Sequence, residues 1–321
     1  MVRTPIAQLK DGMSLDQSFQ AADKQLRVNR QGGKYILLKL ADRSGTIAAM
    51  MWNADEAVLD RFDRADFVHI SGRTQIHNGA LQIIATDIHR MDPSEVSTED
   101  FERFDAAKSD ALMVRLKTLM QSLTRPPLQA LAKAYLSDDQ FVLKLKKAAA
   151  AVNNHHAYPG GLLQHTVDMM EMSQFIAERY EPIDGDLLMM GAFLHDLGKI
   201  DELRADGEIS YTDRGQLVGH IVIGIQLLTD MIAAADRHLE GSFPVSLRHQ
   251  LEHLIASHHG LLEYGSPKIP MTLEAAALHH IDNLDAKLTS YQSIIETDVA
   301  ADGNWTNFNP SIGRKLWKAD R

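Results

Sequence analysis

Histidines and carboxylates are the residues of this sequence whose number and spacing could do chemistry. The 321 residues include 15 His and 43 Asp and Glu but no Cys. The absence of Cys excludes disulfides, cysteine nucleophiles and thiolate metal sites. Any metal ion must therefore be held by imidazole nitrogens and carboxylate oxygens. The strongest local signal is the pair His195-Asp196 near the end of an apolar segment, where both side chains can reach one ion.

Further candidate ligands are spaced widely around this pair. They follow one another at intervals of 24 to 38 residues, and each falls on a different predicted helix or helix end. A single His on an apolar face is more often a hydrogen-bonded core residue than a ligand. Five such positions in order on successive helices favour a metal centre, because a helical bundle can bring them together in its interior. The candidate ligands are His165, His195, Asp196, His220, His258 and Asp282.

Hydrophobic periodicity helps to choose among the histidines of one helix. The apolar stripe of the helix predicted over residues 246–258 continues to His258, whereas His249 and His253 lie on a different stripe. We therefore predict that His258 is the ligand from this helix.

Length and composition are those of an ordinary globular protein with two domains. Hydrophobic residues make up 45% and charged residues 24% of the chain, and no apolar run approaches the roughly 18 residues of a membrane-spanning helix. The first 13 residues lack the apolar core of a signal peptide. We expect a cytoplasmic protein without a membrane partner, and a homo-oligomer is left open.

Charge and histidine content both change near residue 92. Up to Asp92 there are 12 Lys and Arg against 11 Asp and Glu, whereas the rest of the chain has 21 against 32. The net charge of −10 does not by itself suggest nucleic-acid binding, which relies on cations that contact phosphates. The acidic part could instead concentrate metal cations.

Residues 1–92 are predicted to form a small β-barrel. Residues 35–40 alternate as a strand with one buried face does, and Asp42–Gly45 has turn composition. A helix capped by Asn53 and running to Phe62 is expected between the third and fourth strands. Five short strands with a helix at this point fit a Greek-key barrel of the OB type. The predicted strands cover residues 19–29, 35–40, 46–52, 67–74 and 81–89.

The rest of the chain has a helical pattern. Residues 93–105 are predicted as a polar linker and 106–321 as an all-α bundle with a C-terminal tail, so the fold class is α+β with two domains. Ser137 is expected to cap the third helix and Gly198 to end the fifth at a C′ position. The predicted helices cover residues 106–123, 127–135, 138–152, 161–180, 186–197, 216–238, 246–258 and 272–288.

The ordered candidate ligands resemble the motif of the HD-domain metal phosphohydrolases, and the histidines at 220 and 258 are similar to the extra pair of the binuclear members. Four segments strengthen the likeness. These segments are HHAYPGGLLQHT at 155–166, HDLGKI at 195–200, GH at 219–220 and SHHG at 257–260. With an OB-like domain in front, the whole chain resembles the YhaM family of 3′→5′ exoribonucleases.

This resemblance implies an HD-type hydrolase that shortens single-stranded RNA from its 3′ end, with single-stranded DNA left open. It also implies a divalent metal that activates water, with Mn²⁺ as the expected ion and two ions as the expected number. On this hypothesis Asp196 bridges the two ions. His165, His195 and Asp282 complete one site, and His220 and His258 form the other.

Three further residues are candidates for catalytic roles or substrate contacts. Lys199 could hold a phosphate oxygen as a point charge, and His259 or His156 could position the substrate or protonate the leaving oxygen. Metal binding requires neutral imidazoles, so activity should fall as the pH drops through histidine titration. Which of His156, His259, His279 and His280 contact the substrate is left open.

The barrel is expected to guide single-stranded RNA through basic and aromatic side chains. Tyr35, Lys39, Arg43 and Arg73 are the candidates, although an ordinary solvated strand face accounts equally well for each of them. Trp52 is predicted to belong to the barrel core.

Two other functions remain consistent with the sequence. A nucleotide or cyclic-dinucleotide phosphohydrolase would use the same metal site, but the Gly-Tyr-Pro signature of the cyclic-dinucleotide HD domains does not follow His259. A non-catalytic RNA-binding regulator would keep the fold, but relict sites normally lose ligands, whereas this set is complete.

Overall fold

The computed structural model describes residues 3–29, 31–77, 79–101, 104–152, 156–205, 209–298 and 303–318. Contacts within the chain divide it into two compact units. The first combines Met1–Arg103 with Tyr291–Arg321, and the second is Phe104–Ser290. The boundaries expected from the sequence (1–92, 93–105 and 106–321) place the tail with the helices instead. A local helical pattern does not indicate which unit a chain end packs against, so the division differs there.

Strands of the first unit form a closed barrel. They are β1 (Ser14–Val28), β2 (Lys34–Asp42), β3 (Gly45–Trp52), β4 (Phe67–His77) and β5 (Ala80–Arg90). The order around the barrel is β1-β2-β3-β5-β4, with β4 paired back to β1. β3 and β5 run parallel, and the other pairs run antiparallel. This topology, with the short helix α1 (Glu56–Leu59) between β3 and β4, confirms the predicted OB-type barrel.

Alternation along the strands fills the barrel with apolar side chains. Ile36, Leu38 and Leu40 of β2 are buried, as are Phe19 of β1 and Ile83 of β5. β2 thus turns every second residue from Ile36 to Leu40 inward, which is the pattern that made the barrel predictable.

The helix after β3 is shorter than predicted. Asn53 has a positive φ of 55°, so it lies outside the helix instead of capping it. The cap is Asp55, whose carboxylate accepts a hydrogen bond from the backbone N–H of Val58, and the helix spans only Glu56–Leu59.

The second unit is a helical bundle. A buried cluster around Tyr135, Phe193 and Leu251 joins its helices, and a two-stranded hairpin, β6 (Leu203–Arg204) with β7 (Ser210–Tyr211), interrupts them. The helices are α2 (Ala106–Gln121), α3 (Pro126–Leu136), α4 (Asp139–Lys147), α5 (Gly161–Arg179), α6 (Gly185–Leu194), α7 (Lys199–Glu202), α8 (Asp213–Val218), α9 (His220–Ala235), α10 (Val245–Ser257) and α11 (Leu273–Thr297), whose residues from Tyr291 onward belong to the first unit.

Several helix ends differ from the prediction. Asp138, not Ser137, caps α4, because its carboxylate accepts hydrogen bonds from two N–H groups of the first turn. The helix expected over 216–238 is broken at Gly219, whose φ of 78° no helix accommodates. Gly198 has φ of −59° and is not a left-handed C′ residue. It is needed for close approach instead, since a Cβ there would clash with the carbonyl oxygen of His220.

Among the helices that the structure describes, none is long and apolar enough to cross a membrane.

Candidate metal centre

Helix ends position most of the candidate ligands. His195 and Asp196 directly follow α6, His220 is the first residue of α9, and His258 directly follows α10. A side chain at a helix end can turn towards the bundle axis without competing for space with the helix's own next turn. The remaining two ligands, His165 and Asp282, project from within α5 and α11.

One group of ligand atoms gathers around His165. Its Nε2 lies 3.2 Å from Nε2 of His195 and 3.5 Å from Oδ1 of Asp282, and all three atoms fall within 4.8 Å of one another. Atoms that bind one ion at about 2.0–2.2 Å are themselves about 3–3.5 Å apart. The spacing therefore suits a shared ion better than mutual hydrogen bonds.

A second group forms on the other side of Asp196. The ring nitrogens of His220, His258 and His259 lie within 4.8 Å of one another and could hold an ion. The sequence-based hypothesis gave this site to His220 and His258 and assigned His259 to substrate. The structure places the His259 ring with the other two, at a ring-centre distance of 4.3 Å from His258.

Asp196 lies between the two groups and faces each with a different oxygen. Oδ2 is 3.5 Å from Nε2 of His195 and 3.7 Å from Nε2 of His165. Oδ1 is 3.5 Å from Nε2 of His220 and 3.6 Å from Nε2 of His258. The carboxylate therefore has the geometry of a bridge between two cation positions.

Three buried polar atoms of the site lack hydrogen-bond partners among the described residues, which indicates whether a metal fits here. Within the part of the chain that the structure describes, Oδ1 of Asp196, Nε2 of His220 and Nε2 of His258 are buried without a hydrogen-bond partner. Leaving such atoms unsatisfied costs free energy, and native structures rarely do so without a reason. These three atoms converge, so one divalent cation would satisfy all of them.

Hydrogen bonds to Nδ1 fix which nitrogen each imidazole presents. His195 donates from Nδ1 to the carbonyl of Ala192 at 2.9 Å, and His258 donates to the carbonyl of Ile255 at 2.7 Å. His259 donates to the carbonyl of Tyr264 at 2.9 Å. A carbonyl only accepts, so Nδ1 carries the proton and Nε2 is left as a lone-pair donor for a metal.

Two carboxylates orient the imidazoles of His165 and His220 by accepting hydrogen bonds from their Nδ1 atoms. Asp285 accepts from Nδ1 of His165 at 2.7 Å, and Glu202 accepts from Nδ1 of His220 at 3.2 Å. Sequence reasoning missed both of these residues. Asp285 lies one helical turn after Asp282 on α11, which was an available signal, whereas Glu202 reaches His220 only through the tertiary fold.

The protonation equilibria follow from burial and charge. Burial would raise the pKa of Asp196, but the charges of Lys199 and His195 hold it well below its usual value. Burial would lower the pKa of His165, but hydrogen bonds to Asp282 and Asp285 raise it to about 10 in the metal-free protein.

Two imidazoles of the second group, those of His258 and His259, remain neutral more easily, because their pKa values are lowered. Burial and then the charge of His195 lower the pKa of His258 far below its usual value, and burial also lowers that of His259. Neutral imidazoles are the form that binds metal.

A cavity of about 420 Å³ opens beside the centre. Lys199, which also contacts Asp196 through Nζ at 2.7 Å, lines it. Further lining residues are Tyr264, His279, Asn283 and Lys287. Sequence reasoning did not find Tyr264, Asn283 or Lys287, although Asn283 and Lys287 are one helical turn apart on α11.

His156 is not among the described residues that line this cavity. Its Nε2 lies 3.2 Å from Oδ2 of Asp285, so it contacts the carboxylate that orients His165. The expected contact of His156 with the substrate stays a prediction. His279 lines the cavity and donates from Nδ1 to the carbonyl of His258, whereas His280 does not line it.

The nucleic-acid candidates lie on the barrel's outer side. Arg43 and Arg73 are exposed, and Tyr35 and Lys39 are half-buried. The prediction that Trp52 belongs to the core is wrong, because its side chain is 45% exposed. Tyr35 and Trp52 are paired across β2 and β3, with ring centres 5.0 Å apart.

Comparisons with known proteins agree with this architecture. The HD domain family matches residues 162–287, and the OB-fold nucleic acid binding domain family matches residues 22–90. The fold and the site thus define a protein in which an OB-fold domain precedes an HD domain. HD domains are metal-dependent phosphohydrolases, which implies a divalent metal, and the His and Asp groups described above could bind it.

Two relatives extend the likeness to nearly the whole chain. The 3′-5′ exoribonuclease YhaM of Bacillus subtilis (strain 168) is 33% identical over 89% of this chain and 88% of its own. The enzyme of the same name from Bacillus velezensis is 32% identical over the same shares. The chain belongs to the YhaM family of 3′-5′ exoribonucleases.

Proposed function

We propose that this protein is a metal-dependent 3′→5′ exoribonuclease that acts on single-stranded RNA in the cytoplasm. The observation that carries the proposal is the position of Asp196, whose two oxygens face two separate groups of histidines. A paired cation site suits a phosphodiester hydrolase, because two ions can stabilise the negative charge on both the attacking and the leaving oxygen. The names of its relatives support the choice of RNA and of polarity.

The residues around Asp196 would hold two divalent ions, with Mn²⁺ as the proposed ion. His165, His195 and Asp282 would hold the first, and the second would lie among the three histidines at 220, 258 and 259. Bound there, the ions would lower the pKa of water and neutralise phosphate charge.

The chain's own residues would bind and orient the substrate. Lys199 lines the cavity with its ammonium group beside Asp196, and this neighbouring charge raises its pKa although burial alone would lower it. A lysine held charged at this point can bind a non-bridging phosphate oxygen. His259 directs Nε2 towards the second ion position, so we assign it to metal binding instead of to proton transfer.

The size of the cavity supports cleavage at a chain end. A volume of about 420 Å³ falls in the range of pockets that bury one small ligand, and a terminal nucleotide is of this class. Tyr264 offers a ring for the terminal base, and Lys287 offers a second cation for the backbone.

The barrel would hold the RNA upstream of the scissile bond. The paired rings of the half-buried Tyr35 and the exposed Trp52 form a partly exposed aromatic surface, and Arg43 adds an exposed cation within the same unit. Aromatic rings with nearby cations are the means by which OB folds bind single strands without sequence preference.

A time course on a 5′-labelled single-stranded RNA tests the proposal, with Mn²⁺ or with a chelator. We expect a ladder that shortens from the 3′ end only when metal is present, and no ladder with the Asp196→Asn variant. A parallel reaction on single-stranded DNA of the same sequence measures the sugar preference. Intact RNA with the metal-loaded wild type, together with hydrolysis of free nucleotides, would replace the proposal with a nucleotide phosphohydrolase.

A further inference from the structure

The C-terminal segment, residues 303–318, forms a hairpin that the catalytic proposal leaves without a role. Its two arms are joined by bridges between Trp305 and Trp317 and between Asn309 and Arg314. We call this segment the tail hairpin. The buried Thr306 links the arms, since its N–H donates to the carbonyl of Leu316 and its hydroxyl accepts from the N–H of Leu316, both at 2.9 Å.

The tail hairpin is held in place at its base. Asp298, which precedes it, accepts hydrogen bonds from the backbone N–H of Asn307 at 3.0 Å and from Nζ of Lys318 at 3.1 Å. These contacts give its side chains defined positions, so the segment can act as a binding surface.

Three aromatic side chains of this hairpin face solvent. Trp305 and Trp317 are each 51% exposed, and Phe308 is 59% exposed. The two tryptophans touch edge to face at a ring-centre distance of 5.1 Å, which stabilises the hairpin as a cross-strand pair. That structural role does not account for Phe308, or for the ring surface that both tryptophans leave open.

The charge of the segment indicates what would cover these rings. Residues 303–318 contain three cations, Arg314, Lys315 and Lys318, and no Asp or Glu, in a chain of net charge −10. Arg314 and Lys315 are exposed next to the aromatic residues. Exposed rings interleaved with cations are the pattern of surfaces that stack the bases and contact the phosphates of single-stranded nucleic acid.

We propose that the tail hairpin is a second binding site for single-stranded RNA, separate from the metal centre and from the barrel strands. Unpaired bases stack on Phe308 and the two tryptophans, and Arg314 and Lys315 contact the phosphates. The choice of RNA as ligand rests on the proposed exoribonuclease function, but binding can be measured without hydrolysis.

Tryptophan fluorescence gives a direct test, because the chain contains only three Trp. In a Trp52→Phe variant all emission comes from the tail hairpin. We would titrate this full-length variant, in chelator, with a labelled single-stranded uridine oligonucleotide of about 20 nucleotides, long enough to exceed one OB site. Quenching of the emission at the RNA concentrations where anisotropy reports binding is the expected result. Binding by anisotropy with unchanged emission would overturn the proposal.

A pair of matched double variants tests the contribution to affinity. Phe308→Ala with Lys315→Glu should raise the Kd for this RNA by about 5-fold or more, as the loss of one stacked base does elsewhere. The control is Phe175→Ala with Lys117→Glu, which changes an exposed ring and an exposed lysine on the helical unit, and its Kd should not change.

Equal Kd values for the two double variants would refute the tail site. Hydrolysis of a small phosphodiester should be the same in both, since none of the four substituted residues is a proposed metal ligand or lines the cavity. The ladder assay on the wild type reports separately on the exoribonuclease function. If the wild type produces the RNA ladder but the tail-hairpin variant keeps its Kd, only this inference is rejected. If the tail-hairpin variant binds RNA more weakly but the wild type produces no ladder, only the catalytic proposal is rejected.

Discussion

Asp285 accepts a hydrogen bond from Nδ1 of His165 at 2.7 Å, and it belongs neither to the group of His165, His195 and Asp282 nor to the group of the three histidines at 220, 258 and 259. The same oxygen of Asp285 lies 3.2 Å from Nε2 of His156. His156, Asp285 and His165 therefore form a line of contacts that ends at the metal centre. This relationship makes Asp285 a positioning residue, because it decides which ring nitrogen His165 presents.

Replacing Asp285 with Asn should weaken metal binding by about 10- to 100-fold, since the amide carries no charge and can present a donor to His165. Metal titration by calorimetry would measure the loss, and excess Mn²⁺ should restore most of the activity. Asp186→Asn is the control, because Asp186 accepts hydrogen bonds from Thr124 and Arg125 outside the centre. A metal Kd unchanged by Asp285→Asn would contradict the positioning role.

Replacing Lys199 with Met should lower kcat by about 10²- to 10³-fold, as the loss of one charge-stabilising donor does in other enzymes. The metal content should stay the same, because Lys199 contacts Asp196 but is not among the proposed ligands. Lys144→Met, which breaks a more exposed ion pair with Asp201, should leave kcat unchanged. If the Lys199→Met variant lost its metal, the role of Lys199 would be to maintain the metal site and not to bind the phosphate.

The stability of the metal-free protein should depend on pH through His165. Its pKa is raised from 6.5 to about 10 on folding, so the folded state binds this proton more tightly than the unfolded state. Its contribution to the free energy of unfolding is therefore complete below about pH 6.5 and is lost as the pH rises towards about 10.

Urea unfolding across that pH range, in chelator, would measure this loss, and His165→Gln should flatten the profile. With Mn²⁺ bound this loss of stability should largely disappear, because the metal-bound folded state carries no proton on His165 and the unfolded state carries little of one above about pH 6.5. Identical slopes with and without metal would show that the ion binds elsewhere.

Replacing Trp52 with Ala should weaken binding of single-stranded RNA by about 1–3 kcal/mol, the usual contribution of one stacked base. Hydrolysis of a small phosphodiester should be unaffected, since Trp52 is neither a proposed metal ligand nor a residue that lines the cavity. Trp52→Phe keeps a ring beside Tyr35 and should restore most of the affinity. Fluorescence anisotropy of a labelled RNA would measure the affinity of the wild type and of both Trp52 variants. Equal affinities would assign RNA binding to other parts of the barrel.

The fold could be predicted because both of its patterns are local. Alternation in β2 and helical periodicity in the second unit each follow from which residues are apolar. Element ends depend on single backbone conformations, such as the positive φ of Asn53 and Gly219, which the apolar pattern does not encode. Trp52 was assigned to the core by hydrophobicity, although it shares its strand face with Ala48, which is exposed, and not with the buried Ala49.

The site was predictable only for residues with unusual chemistry. His195, Asp196 and His258 could be chosen because histidines and carboxylates at helix ends are informative by type and position. Glu202 and Lys287 could not, because one acts through tertiary contact with His220 and the other through the cavity's shape. An acidic or basic residue on an exposed helix has the same local signature in any protein.

The carbonyl groups that orient His195 and His258 each lie three residues earlier in the same helix end. No side-chain substitution removes a backbone carbonyl, so the orientation of these two ligands is robust to point mutation. His165 and His220 rely on the side chains of Asp285 and Glu202, which a single base change can abolish. Evolutionary loss of the metal site would therefore begin with mutation of those two carboxylates, while the rings of His195 and His258 kept their orientation.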